Sequence, residues 1–358
     1  MKSEKFCFSR VFTYFCTQII SGKMKRTFLW PTIGLIITLC AACAYTAHSL
    51  MTAKVPSKEG EGERLIYVDR DDTADSVRTK SGLGWRWDVY DKVLSYHLRT
   101  GRYRVHPETT CLHLYRQLRN GSQEPTNLVI PTSRTMDRLA AVLSRNLMMD
   151  STEIASALTD STYCALHGYT TATIPALFIP NTYEVYWDIS LDKFMERMER
   201  ENNRFWTAER KAKAQACGLT HEQVATLASI VDEETANNAE KPMIAGLYLN
   251  RLRRGMPLQA DPTVKFAVGD FSLRRIVGKH LKVESPYNTY RNEGLPPGPI
   301  RIASIAGLDA VLDHAEHTYL YMCAKEDFSG THNFASTLPE HYRNARRYVR
   351  ALNERGIH

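Results

Sequence analysis

The chain has 358 residues, 43% of them hydrophobic and 24% charged, with a formal net charge of +7. This length accommodates a membrane segment and two or more packed units, and the composition excludes wholesale disorder. No stripe of Lys and Arg interleaved with aromatics occurs, so nucleic acid is not an expected partner.

Thr27 to Ala47 contains no Asp, Glu, Lys or Arg; at about 21 residues it matches one helix crossing a bilayer. Lys23, Lys25 and Arg26 precede it, with Lys2, Lys5 and Arg10 further upstream. The positive-inside rule therefore places residues 1–26 in the cytoplasm and everything after Ser49 outside. A cleaved signal peptide is the rival reading, but the basic region is long and no clear small-x-small site follows. Leu39-Cys40-Ala41-Ala42-Cys43 only faintly resembles a lipoprotein acceptor. Met24 is an alternative start that leaves the topology unchanged. Cys7, Cys16, Cys40 and Cys43 lie in or before this segment, while Cys111, Cys164, Cys217 and Cys323 are scattered through the body. That spacing fits neither a zinc site nor a dense disulfide framework; buried free thiols are expected, with one or two bridges open.

A polar linker, Val55 to Glu63, leads to a strand at Leu65–Val68, a helix at Val89–Leu98, a strand at Arg102–Val105 and a helix at Cys111–Leu118. Leu128–Ile130 reads as a further strand, so residues 60–130 are expected to form a small α+β unit. Helices are expected at Met136–Met148, Glu153–Leu158, Leu191–Asn202 and Trp206–Cys217, with a turn and strand over Leu177–Tyr186.

The next helix carries the chemistry. Thr220 and Gln223 form a capping box after Gly218, and Val224, Leu227, Ala228, Ile230 and Val231 recur as one buried face. One more turn of that face lands on Glu234. Asp232 lies beside the stripe, and Glu233 falls in line with Thr226 and Ser229 on the polar side. A carboxylate where a Leu would fit needs a partner or a raised pKa, and the latter suits a general acid. An internal ion pair with an Arg, or a cap on a neighbouring helix, is the competing reading. Pro242 then suits the first turn of the following helix, which Gly255 ends.

Other chemistries lack support. There is no H-E-x-x-H, and the histidines, His314 and His317 included, lack ligand spacing, so no metal is expected. G-x-x-x-x-G-K-[ST], G-x-G-x-x-G after a strand and G-x-S-x-G are all missing, so no nucleotide cofactor is expected. After Glu234 come Asn250-Arg251-Leu252, Gln259-Ala260-Asp261-Pro262-Thr263, Ser285-Pro286-Tyr287-Asn288-Thr289-Tyr290 and Gly294-Leu295-Pro296-Pro297-Gly298-Pro299. Individually they read as a helix cap, a turn and rigid loops. Together they supply the amides, hydroxyls and aromatic faces that hold a sugar.

In that order, with Leu227–Thr235 ahead of them, these segments resemble the signatures of the YceG-like family, the MltG-type endolytic murein transglycosylases. Phe178–Tyr183, Tyr319–Tyr321 and His332–Phe334 resemble its flanking segments, so the likeness covers about residues 100–350. It implies an α+β protein with a single N-terminal transmembrane helix (27–47), a small LysM-like unit (60–130) and a mixed α/β catalytic domain (131–350). The catalytic domain would lie outside the inner membrane, with peptidoglycan glycan strands as substrate and cell-wall synthases as candidate partners.

The family's catalytic acid falls on Glu234. Many relatives have Glu where this chain has Asp232, which argues that position 232 supports the site rather than transferring protons. The implied reaction cleaves the β-1,4 bond between N-acetylmuramic acid and N-acetylglucosamine, leaving a 1,6-anhydro end without consuming water. Glu234 would act as acid and then base, with Asn250, Gln259, Asp261, Tyr287 and Asn288 positioning the glycan. The alternatives are a lysozyme-like hydrolase, with Asp232 or Asp261 aiding water attack, and a non-catalytic wall-binding scaffold.

Overall fold

The computed structural model describes residues 26–56, 62–273 and 275–356. The expected cytoplasmic segment, save Arg26, and the middle of the polar linker lie outside them. Helix α1 (Arg26–Thr52) contains a stretch, Ile33–Thr52, of mean hydropathy 1.7 with none of its residues buried. By length and composition it can cross a membrane.

The chain divides into two compact units, with the break after Glu124. In the first, β1 (Arg64–Val68) pairs antiparallel with β2 (Gly101–Val105), and α2 (Ala74–Ser81) and α3 (Trp85–Leu94) lie between them in sequence. Helix α4 (Cys111–Asn120) follows. Ile66, Val68, Val77, Trp87, Tyr90, Tyr103, Leu114 and Tyr115 form the core. The end of α1 docks here: the Tyr90 hydroxyl donates to the Leu50 carbonyl at 2.6 Å, and Cys111 N to Ala53 O at 2.8 Å.

Two helices depart from the sequence expectation. Helix α2 was not anticipated because Val77 is its only buried large apolar residue; its signal is the Thr73–Ser76 capping box. Helix α3 starts and stops four residues earlier than expected. Ser95 adopts φ 55°, and the Asp91 carboxylate accepts from Tyr96 N at 2.6 Å, turning the chain there.

In the second unit, β3 (Thr126–Val129) pairs antiparallel with β4 (Thr182–Val185). The strand read at 128–130 thus joins this unit, because its partner lies some fifty residues downstream. Helices α5 (Met136–Asn146), α6 (Ser151–Thr159), α7 (Ser161–Leu166) and α8 (Leu191–Phe205) surround the pair, with Leu128, Leu139, Leu143, Ile154, Phe178 and Phe194 fully or almost fully buried.

A second core forms around α10 (His221–Glu234), which follows α9 (Ala208–Ala216). The Thr220 hydroxyl accepts from Gln223 N at 3.3 Å, and the Gln223 amide oxygen accepts from Thr220 N at 2.9 Å. Every residue from Val224 to Val231 is buried. The polar side expected of this helix is therefore enclosed too: Ser229 donates to Thr226 O and accepts from Ile300 N at 3.0 Å.

Helices α11 (Lys241–Arg253) and α13 (Ile305–Leu312) pack on α10. A Cβ at Gly307 would lie 2.6 Å from the Asp232 carboxylate, so only glycine permits this approach. Helix α12 (Asp261–Val268), read from sequence as a turn, begins with Asp261-Pro262, a dipeptide suited to a first helical turn. Antiparallel β5 (Tyr321–Ala324) and β6 (His332–Ala335) and the helix α14 (Leu338–Glu354) complete the unit. Cys111, Cys164, Cys217 and Cys323 are unpaired.

Candidate active site

The three consecutive carboxylates at the end of α10 meet three different environments. Asp232, its side chain 3% exposed, accepts from Lys241 Nζ at 2.7 Å and from the Ser304 backbone N and hydroxyl at 2.6 and 2.7 Å. It therefore holds the start of α13. Glu233 receives a forked pair of bonds from Arg134, at 2.7 and 2.8 Å, and another from Arg301 at 2.9 Å. Glu234 forms no ion pair among the described residues; its protein contact is the Tyr248 hydroxyl, donating to Oε1 at 2.7 Å.

That difference sets the chemistry. Burial raises the Glu234 carboxyl, opposed by the Tyr248 bond and the charge of His332, and aided by Asp261 and Glu233; the result is about 7. Glu234 thus holds a proton closer to neutrality than an ordinary carboxyl, and it is reachable. It lines a recess of about 220 Å³ with Tyr248, Arg251, Gln259, Asp261, Tyr290 and His332. Glu234 and Asp261 also line a wider recess of about 720 Å³ with Pro262, Lys265 and Arg275. The two recesses share Glu234 and Asp261 and together make up the groove at the end of α10.

The loops are held by their own polar groups. Gln259 N donates to Thr289 O at 3.1 Å, Ala260 N to the Thr289 hydroxyl at 3.0 Å, and the Thr263 and Thr289 hydroxyls lie 2.8 Å apart. This clamp sets Asp261 at the mouth, where the Tyr290 hydroxyl donates to its carboxylate at 2.6 Å. Gln259 adopts φ 51°, a backbone strain of the kind found at functional sites.

Of the residues expected from sequence, Glu234, Gln259 and Asp261 come together. Asn288 is fully buried, its amide donating to Leu281 O and Val283 O at 3.0 and 2.8 Å and accepting from Tyr290 N at 3.1 Å. It shapes the loop that delivers Tyr290. Tyr287 packs on Phe266, ring centroids 4.7 Å apart, outside both recesses. Asn250 donates to His317 O at 2.7 Å and Tyr319 O at 3.2 Å and lines a separate depression.

Sequence reasoning missed Tyr248, Arg251, Tyr290 and His332. Helical spacing carried a signal for two of them: Tyr248 and Arg251 are one turn apart on a shared face, whereas Asn250 lies about 200° around from Tyr248. Among the described residues, no group of three or more His, Cys, Asp or Glu side chains could hold a metal ion.

The profile of the YceG-like family matches residues 72–347. An endolytic murein transglycosylase of Bacillus subtilis is 36% identical over 168 residues, covering 47% of this chain and 46% of that protein. One from Streptococcus pneumoniae is 27% identical over 308 residues, covering 75% and 55%. The chain thus spans about half the length of these relatives. The crystal structure of a YceG-like protein from Listeria monocytogenes superposes with a TM-score of 0.53 at 25% identity, over 80% of this chain and 99% of that one.

Proposed function

The chain belongs to the YceG-like family, and from that premise we propose that it is an endolytic murein transglycosylase. The observation that carries this reading is Glu234: a groove-facing carboxyl held near 7, with a tyrosine rather than a cation beside it. In its protonated form it donates to the glycosidic oxygen as the bond to muramic C1 breaks. The C6 hydroxyl of the same sugar then closes on C1, and the Glu234 carboxylate takes up its proton. Atoms and protons balance without water, leaving a 1,6-anhydro end. Asp261 lines the same opening, where its carboxyl group is placed to face the positive charge that develops at C1.

Asp232 and Glu233 are committed to Lys241, Arg134 and Arg301, which supports a structural role for both. Mass spectrometry of fragments from purified sacculi tests the assignment. The wild-type chain is expected to release anhydro-ended fragments and Glu234→Gln none. Reducing ends instead would reassign the chain as a hydrolase, and unchanged sacculi would make it a binding scaffold.

Helix α1 serves in this reading as a single-pass anchor that leaves both units outside the inner membrane, within reach of wall synthases. The strand–helix–helix–strand order of the first unit, with its strands antiparallel, supports a LysM-like module binding glycan strands.

A further inference from the structure

Arg251 lies in the wall of the smaller recess and is only 7% exposed. No carboxylate lies within ion-pair distance of it among the described residues. Its Nε donates to Leu320 O at 2.6 Å, and its Nη1 to Pro257 O, Leu258 O and the Gln259 side-chain oxygen at 3.0, 2.9 and 3.3 Å. Nη2 has no hydrogen-bond acceptor among the described residues, although its residue lines the recess that Glu234 enters.

A buried, permanently charged guanidinium without an anion is costly, and folds normally pair it. Here three carbonyls fix the fork while one edge stays available, next to a glutamine held in strained backbone geometry. That is the form of a preorganised acceptor site for an oxygen on the ligand.

This inference rests on the murein reading. On a glycan strand the C6 hydroxyl and the acetamido group are shared by both sugars, while position 3 differs, a free hydroxyl on N-acetylglucosamine and an ether on muramic acid. The 3-O-lactyl acyl group occurs on muramic acid alone, as an amide carbonyl where a peptide is attached and as a carboxylate where it is not. On the peptide-free strand it is also the one group that carries negative charge. We infer that Arg251, steadied by Gln259, receives the lactyl acyl oxygen of the muramic residue at the cleavage point, and so selects which of the two alternating bonds meets Glu234.

The test measures binding by calorimetry with the full chain in detergent micelles, in the inactive Glu234→Gln background. The ligands are a peptide-free murein tetrasaccharide and a chitin tetrasaccharide of equal length. Arg251→Lys keeps a charge but not the fork; the added substitution is expected to weaken murein tetrasaccharide binding by about tenfold and leave the chitin ligand within about twofold. Any glycan binding by the first unit is common to both chains, so the change between them is the readout. An equal loss for both ligands, or no loss for either, overturns the inference.

If Arg251→Lys lowers the melting temperature sharply, Gln259→Glu takes its place. It sets a carboxylate beside the guanidinium and is expected to produce the same selective loss; binding as in the parent chain would overturn the inference. Failure of the murein reading is seen separately, as absence of anhydro ends in digests by the chain with Glu234 intact.

Discussion

At the scale of single residues, the site turns on how three neighbouring acids are neutralised. Two have cations at 2.7–2.9 Å and hold elements together through those ion pairs. The third has a hydroxyl, so burial dominates and its proton is retained to about 7. The rate of anhydro-end release is therefore expected to fall with rising pH through about 7, which a pH profile of kcat/KM checks. Tyr248→Phe removes a bond that lowers the Glu234 pKa, so the alkaline limb is expected to move upward while the rate drops.

The same group bears on stability. Its folded pKa lies above the ordinary carboxyl value of 4.5, so the unfolded chain ionises first. Stability is then lost as pH rises from about 4.5 through about 7. Glu234→Gln keeps an acceptor for Tyr248 and removes the buried charge. At pH 8 it is expected to stabilise the fold on the order of 1–3 kcal/mol while abolishing cleavage, as chemical denaturation at pH 5 and pH 8 would show.

At the scale of elements, the groove depends on how α10, α11 and α13 meet. Asp232 joins all three: it leaves α10, pairs with Lys241 in the first turn of α11 and caps Ser304 ahead of α13. Lys241→Met would leave that carboxylate buried without its cation, and a loss of about 3–5 kcal/mol in urea denaturation is expected. Gly307→Ala would force the same joint apart and is expected to cost about 1–3 kcal/mol, with cleavage reduced through displacement of α10. Neither residue touches the groove, so the two variants separate effects on architecture from effects on proton transfer.

At the scale of the whole molecule, the apolar helix and the first unit are not independent pieces of chain. Leu50 and Ala53 bond to Tyr90 and Cys111. A truncation beginning at Ser49 keeps those bonds and is expected to move the protein from the detergent phase to the aqueous phase without lowering its melting temperature. A cut after Val55 is expected to lower it, by differential scanning fluorimetry of the two chains.

Local patterns in the sequence determined what local physics controls. The apolar stretch, the capping box at Thr220 and the face ending on Glu234 are legible because each depends on residues within a turn or two, whereas the Asp261-Pro262 pair reads equally as a turn and as a first helical turn. What only the tertiary structure decided is which acid keeps its proton, where β3 pairs and which face of α11 meets the groove. Arg134, Arg301, Lys241 and Tyr248 reach the acids from other elements, and β4 lies far along the chain from β3. The charge state of a buried carboxyl is set by those distant neighbours and by the water they exclude, neither of which is written in the residues beside it.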